Sequence, residues 1–167
     1  MDATVFVPVS TSRSKTNQIQ IYGAKLRRIE GPRSAASAAV LEEVEKGAAY
    51  ASHAYLPFGL RGFVTIAYEI WEQCGRKAPG TVIAPVGHGH LMRGIIDGFT
   101  ALKNCDAIDC EPHFVGVQPE NCAPVWTAWK HGLEALEGLT EKKTAADGTN
   151  VIKPLQLIPL LSLAQRG

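Results

Sequence analysis

The stretch TVIAPVGHGHLMRGIIDGF, Thr81 to Phe99, constrains the fold of this chain more than any other. Thr81 to Val86 is apolar with no in–out alternation, the pattern of a strand buried on both faces of a parallel sheet. Gly87 and Gly89 follow at once, and Leu91, Ile95, Phe99 and Leu102 then recur at helical spacing. A buried strand that turns through glycines directly into a helix is the first half of a β-α-β crossover. The rest of the fold must therefore supply a parallel neighbour.

The flanking sequence repeats the alternation. TVFVPV, Thr4 to Val9, reads as a buried strand; a helix starting near Ser14 carries Ile19 and Tyr22 and stops at Gly23. Lys25 to Glu30 reads as a second strand ending at Gly31-Pro32. The alanine-rich SAASAAVLEEVEKG then forms a helix with Ser34 as its cap and Gly47 as its terminator. Ala48 to His53 is a weaker third strand. Pro57 is placed to open a helix that runs to about Cys74, with Leu60, Phe63, Val64, Ala67, Ile70 and Trp71 on its buried face and Tyr68, Glu69 and Glu72 as packing and polar-face residues. Downstream come a strand from His113 to Gln118, a helix carrying Trp126, Trp129, Leu133 and Leu136, and a short apolar end, Leu155 to Leu163, that needs a surface to cover it. The fold class is α/β, with alternating strands and helices and parallel sheets.

Composition narrows the function. The chain has 167 residues, 46% hydrophobic and 20% charged, with a formal net charge of +1. That balance offers no global field for nucleic acid or an anionic membrane, so any anion site has to be local. No apolar run is long enough to span a bilayer and the N-terminus lacks the features of a signal peptide, which points to the cytoplasm. Cys74, Cys105, Cys110 and Cys122 include no C-x-x-C pair and read as reduced, small core residues. His53, His113 and His131 read as structural or surface histidines.

The loop Gly87-His88-Gly89-His90 admits several chemistries. A zinc site could begin from His88-x-His90, but Met92 and Arg93 stand where a hydrolase-type pattern would place further ligands. A dinucleotide loop needs a third glycine, and that position falls on Met92; a P-loop needs G-K-[ST], which is absent. A phosphate cradle asks only for unobstructed backbone N–H groups at a helix N-terminus, and strand, Gly-His-Gly-His, helix provides that. A tight turn with glycines for geometry alone fits the loop equally well.

Four stretches together resemble one family. VFVPVSTSRSKTNQIQIYGAKLRRIEG, PFGLRGFVTIAYEIWEQCG, VIAPVGHGHLMRGIIDGF, and FVGVQPENCAPVWTAW with TAADG are similar, in order, to segments of the pyridoxal-phosphate enzymes of the tryptophan-synthase-β fold (fold type II), most closely threonine synthases. The resemblance implies a three-layer fold, with residues 1–56 in part of a small α/β domain and 57–167 in part of a large cofactor-binding domain. It implies pyridoxal 5'-phosphate as cofactor, its phosphate held by Gly87, His88, Gly89, His90 and Leu91, with Thr144, Asp147 and Gly148 on the substrate side. Many relatives have small or polar residues where this chain has His88 and His90.

The family's cofactor-binding lysine and the loop that grips the substrate carboxylate fall upstream of the first strand read here. The resemblance thus implies the middle portion of such an enzyme, with no catalytic residue in this chain. Lys15, in Ser14-Lys15-Thr16-Asn17, falls in a different position and reads as a helix-terminal charge. Two functions follow as expectations. One is a fragment of a lyase acting on a small amino acid by β/γ elimination or replacement, threonine synthase-like with O-phosphohomoserine as substrate, completed by a homodimer or a complementary chain. The other is a catalytically inactive remnant that binds a phosphate ligand or a protein partner.

Overall fold

A computed structural model describes residues 2–52, 54–56, 58–140, 142 and 144–165. The chain divides into two compact units, Met1–Ala51 and Ser52–Gly167.

In the first unit, β1 (Thr4–Pro8) pairs in parallel with β2 (Lys25–Ile29), Thr4 opposite Lys25 and Pro8 opposite Ile29. The connecting helix α1 (Arg13–Ile21) is polar and buries only Thr16, whose hydroxyl donates to Arg13 O at 3.1 Å and lies 3.4 Å from the Arg28 guanidinium. Gly23, at φ +75°, ends the connection in a conformation that costs glycine little. Helix α2 (Arg33–Glu45) follows, its alanines favouring helix, with Val7 and Ala36 as the buried apolar residues of this unit. Its N-cap is Pro32 rather than Ser34, because proline's fixed φ already suits the entry to a helix.

The third strand is absent among the described residues 48–52, and His53 lies outside them. Ala48 N instead donates to Glu43 O, closing α2, and the alanines there offer no β-branched surface to pair. Pro57 also lies outside the described residues.

The second unit opens with α3 (Gly59–Gln73) and continues through β3 (Thr81–Pro85), α4 (His90–Asn104) and β4 (His113–Val117). β3 and β4 pair in parallel, Thr81 opposite His113 and Pro85 opposite Val117, so α4 is the crossover of a β-α-β unit. Eight residues of α4 are buried, Phe99 completely. Helices α3 and α4 approach closely because Gly94 and Gly98 present no side chains: a Cβ at Gly94 would lie 2.3 Å from Phe63 Cβ, and one at Gly98 would lie 2.5 Å from Ala67 Cβ. Ala67, Ile95, Phe99, Leu102, Ala84 and Val86 belong to one core.

Only one face of this sheet is covered. Val82, Ala84 and Phe114 belong to or pack against the core, whereas Ile83 is 68% exposed and Val115 and Val117 are also exposed. The expectation of burial on both faces is therefore not met within the second unit, whose sheet has two strands and finds its apolar cover from α4.

The expected helix through Leu136 breaks at Gly132 (φ +88°): α5 (Pro124–His131) ends there and Leu133–Leu136 forms a separate 3₁₀ turn. The last apolar segment is α6 (Leu157–Ala164), covered by seating Leu160 and Leu163 on the core. Cys122 is buried, but Cys74, Cys105 and Cys110 are exposed, because Cys74 and Cys105 cap the C-termini of α3 and α4 and Cys110 lies in the loop before β4.

Candidate functional site

The glycine loop is built at the end of β3. Val86, 2% exposed, extends the ladder by donating its N–H to Val117 O at 2.9 Å. Its carbonyl accepts from Gln118 Nε2 at 3.1 Å, and Gln118 Oε1 accepts the N–H groups of Val125 and Trp126 at 2.9 and 3.1 Å. One carboxamide thus caps the first turn of α5 and fixes the chain just before Gly87. The two ends of an amide have opposite hydrogen-bonding character, and these three partners use both.

Beyond Val86 the chain turns at Gly89, whose φ of +91° is a left-handed conformation open to glycine. Gly89 is the N-cap of α4, and its carbonyl accepts the first helical bond, from Arg93 N at 2.9 Å. The first-turn amides lie ahead of that bond, so the helix itself gives them no acceptor. The N-cap glycine has no side chain to cap this end and no acidic residue sits in the first turn, so the helix's own first turn leaves the positive end of its dipole open to an anion. Arg93 is paired with Asp97 at 2.7 Å.

His90 is buried, its ring 6.2 Å from those of Phe63 and His88. Gly87, His88 and Leu91 keep part of their surface in solvent. Among the described residues, no group of three or more His, Cys, Asp or Glu side chains is placed to hold a metal ion.

The second set of candidate residues meets the loop in part. Asp147–Thr149 is a 3₁₀ turn, preceded by Thr144, whose hydroxyl accepts from Ala146 N at 3.2 Å. Gly148 and Thr149 lie against Gly87: a Cβ there would be 3.5 Å from Gly148 O and 3.4 Å from Thr149 Cα. Thr144 serves the turn, and Asp147 is exposed at its start. Lys15 lies in the first unit, exposed on α1.

Among the loop neighbours not anticipated from sequence are Gln118, Gln156 and Leu160. Gln156 N donates to His88 O at 3.0 Å, and a Cβ at Gly89 would fall 2.8 Å from Gln156 Cβ and 2.7 Å from Leu160 Cδ1. The only local signal for Gln118 was a polar residue at the end of a strand, six residues before a helix-opening proline. Nothing local marks the other two.

The residues present fit the phosphate of pyridoxal 5'-phosphate. A glycine N-cap at positive φ, with no capping side chain of its own and no carboxylate within the first turn, is what an anion held by backbone amides requires.

Parallel strands joined by a helix, with a glycine turn at the strand's C-terminal end, define a class of α/β ligand-binding proteins. Within it, the chain belongs to the pyridoxal-phosphate dependent enzyme family, whose model matches residues 1–164. It is similar to threonine synthase of Methanosarcina acetivorans, at 29% identity over 89% of this chain and 36% of that protein. It is also similar to a catabolic L-threonine dehydratase of Staphylococcus aureus, at 33% identity over 92% of this chain and 42% of the relative. Among solved structures, threonine deaminase isoform 2 of Solanum lycopersicum in its processed form matches with a TM-score of 0.64 and 26% identity, over 90% of this chain and 41% of that one. Maize serine racemase shares the fold, with a TM-score of 0.73 at 17% identity over 96% and 47%. The chain therefore spans well under half the length of the curated relatives it matches. The fold is that of the fold type II pyridoxal-phosphate enzymes, and the family's cofactor is pyridoxal phosphate. No helix among the described residues is long and apolar enough to cross a membrane.

Proposed function

We propose that this chain supplies the phosphate-holding part of a pyridoxal-phosphate-dependent lyase that acts on a small amino acid by β/γ elimination or replacement, in the manner of threonine synthase. The observation that carries the reading is the glycine N-cap of α4, Gly89 at φ +91°, with no acidic residue in the first turn behind it. Residues 57–167 act as part of the cofactor-binding domain and residues 1–56 as part of the smaller one. Remaining groups of the site come from elsewhere in the polypeptide or from a complementary or identical chain, in keeping with the share of the relatives' length that is matched.

In this reading the main-chain amides of Gly87, His88, Gly89, His90 and Leu91 hold the phosphate, and the side chains of His88 and His90 shape the turn without binding. When bound, the cofactor withdraws electrons from the α-carbon of an amino-acid substrate, which lets its proton and a β or γ substituent leave. The chain's own contribution is position. The helix that would hold the phosphate has its Phe99 face locked in the core, so the first-turn amides offered to it are fixed in place. Gly148 stands next to the anchor, with Thr144 and Asp147 further along the same segment, on the substrate side.

The test compares pyridoxine 5'-phosphate with pyridoxine by calorimetry; neither carries an aldehyde that would react with surface lysines. The phosphorylated form is expected to bind at least tenfold more tightly and to be displaced by pyridoxal phosphate. Equal affinity for the two compounds would remove the cradle and the reading built on it.

A further inference from the structure

The glycine loop is gripped from behind by a part of the chain nearly seventy residues away. Gln156 N donates to His88 O at 3.0 Å. The Cα of Gly89 faces Gln156 and Leu160 so closely that even one methyl group would collide with Leu160 Cδ1 at 2.7 Å and Gln156 Cβ at 2.8 Å. Gly87 rests on Gly148 O and Thr149 Cα. Leu160 is itself buried in the core that holds α4, so this contact cannot drift independently of the helix.

These contacts bear on the backbone of three successive loop residues, Gly87, His88 and Gly89. Gly89 at φ +91° could relax through the wide conformational range of glycine; the hydrogen bond on the preceding carbonyl and the wedge behind its Cα restrict it to one. We infer that Gln156 and Leu160 are positioning residues for phosphate recognition, holding the Gly87–His90 turn in the one conformation that directs its amides at an anion. The inference rests on the phosphate-cradle reading. Gln156 acts through its main-chain N–H and Cβ, so its carboxamide is dispensable; Leu160 acts through the bulk of its branched end.

The same pair of compounds separates positioning from general support, since a loosened fold weakens both and a misdirected turn weakens only the phosphorylated one. Gln156→Ala keeps the N–H and the Cβ and is expected to leave the preference for pyridoxine 5'-phosphate over pyridoxine unchanged. Gln156→Pro removes the N–H that holds His88 O and draws the backbone there from φ −99° toward proline's own φ, and is expected to lower that preference about fivefold or more while pyridoxine affinity holds. Leu160→Val trims the wedge but keeps an apolar core residue, and is expected to lower it about two- to threefold; it serves if the proline variant does not fold.

A preference unchanged in both Gln156→Pro and Leu160→Val would overturn the inference and leave the cradle standing. So would a parallel loss for both compounds, which would make the contacts merely structural. A wild-type chain with no preference would overturn the cradle and this inference together.

Discussion

The two units of the molecule contain the same topological device, a strand, a helix and a parallel strand, built to different specifications. In the first, α1 is nine residues long, buries only Thr16 and leaves Ile21 and Tyr22 in solvent. In the second, α4 is fifteen residues long and buries eight. The turns differ in the same sense: α1 is entered through Ser12 at φ −58°, α4 through Gly89 at φ +91° with Leu160 and Gln156 against it. Topology alone therefore does not make a site. A turn can hold an anion in a fixed place only when the helix behind it is anchored and the loop in front has a single conformation.

That contrast can be broken first at the core. Phe99→Ala is expected to cost about 3–5 kcal/mol by chemical denaturation, the range for a buried aromatic, while Val7→Ala in the first unit costs about 2 kcal/mol, from roughly 0.8 kcal/mol per lost carbon. Similar costs would show that the units are equally consolidated. Next comes the close helix pair. Gly98→Ala forces a methyl group to within 2.5 Å of Ala67 Cβ and 2.7 Å of Val64 O, and neither can move without shifting a helix. A loss of about 2–3 kcal/mol is expected, as for overpacked cores; a neutral result would mean that α3 and α4 can separate at little cost.

The turns themselves give the third comparison. Gly23 and Gly89 both have positive φ, but a Cβ at Gly23 meets nothing within 4 Å. Gly23→Ala should therefore show only the conformational cost of about 1 kcal/mol, and Gly89→Ala should exceed it by a further ~1 kcal/mol or more from the collision with Leu160 and Gln156. Equal costs for the two would argue that the loop is not braced.

The smallest effect is electrostatic and belongs to the first unit. Lys46 donates a hydrogen bond to Glu43 at 3.0 Å, and with the charges of Lys46 and Arg27 this holds the Glu43 carboxyl below its ordinary range. A lowered folded-state value means that the stabilisation is present above the unfolded value and is lost as the pH falls through the folded one. Lys46→Ala is expected to move the Glu43 titration midpoint upward in carboxyl carbon NMR. An unmoved midpoint would show that the pair does not persist in solution.

Local sequence carried much of this organisation and failed where the determinants are distant. The order of strands and helices could be read because each has its own period and punctuation: the apolar run Thr81–Val86, the spacing of Leu91, Ile95, Phe99 and Leu102, the glycines at 23, 47 and 75. The third strand expected over Ala48 to His53 does not form among the described residues 48–52, because such a segment is extended only where a neighbour pairs with it, and pairing is not local. The helix was read through Gly132 because Leu133 and Leu136 continue the apolar period, yet a left-handed glycine overrides it. The β3 face carrying Ile83 looks buried in sequence, and whether it is depends on what packs there. At the site, the glycines announced themselves, whereas Gln118, Gln156 and Leu160 act across gaps of tens of residues. A buttress of that kind leaves no local mark.

The proposed function stands or falls on whether the backbone amides of the Gly87–Leu91 turn receive a phosphate. The most direct measurement is the backbone amide NMR spectrum during titration with pyridoxine 5'-phosphate. The largest shifts are expected on residues 87–91, saturating together, with pyridoxine alone leaving them nearly still. Saturable binding whose shifts fall elsewhere, with the turn unmoved, would contradict the proposed function.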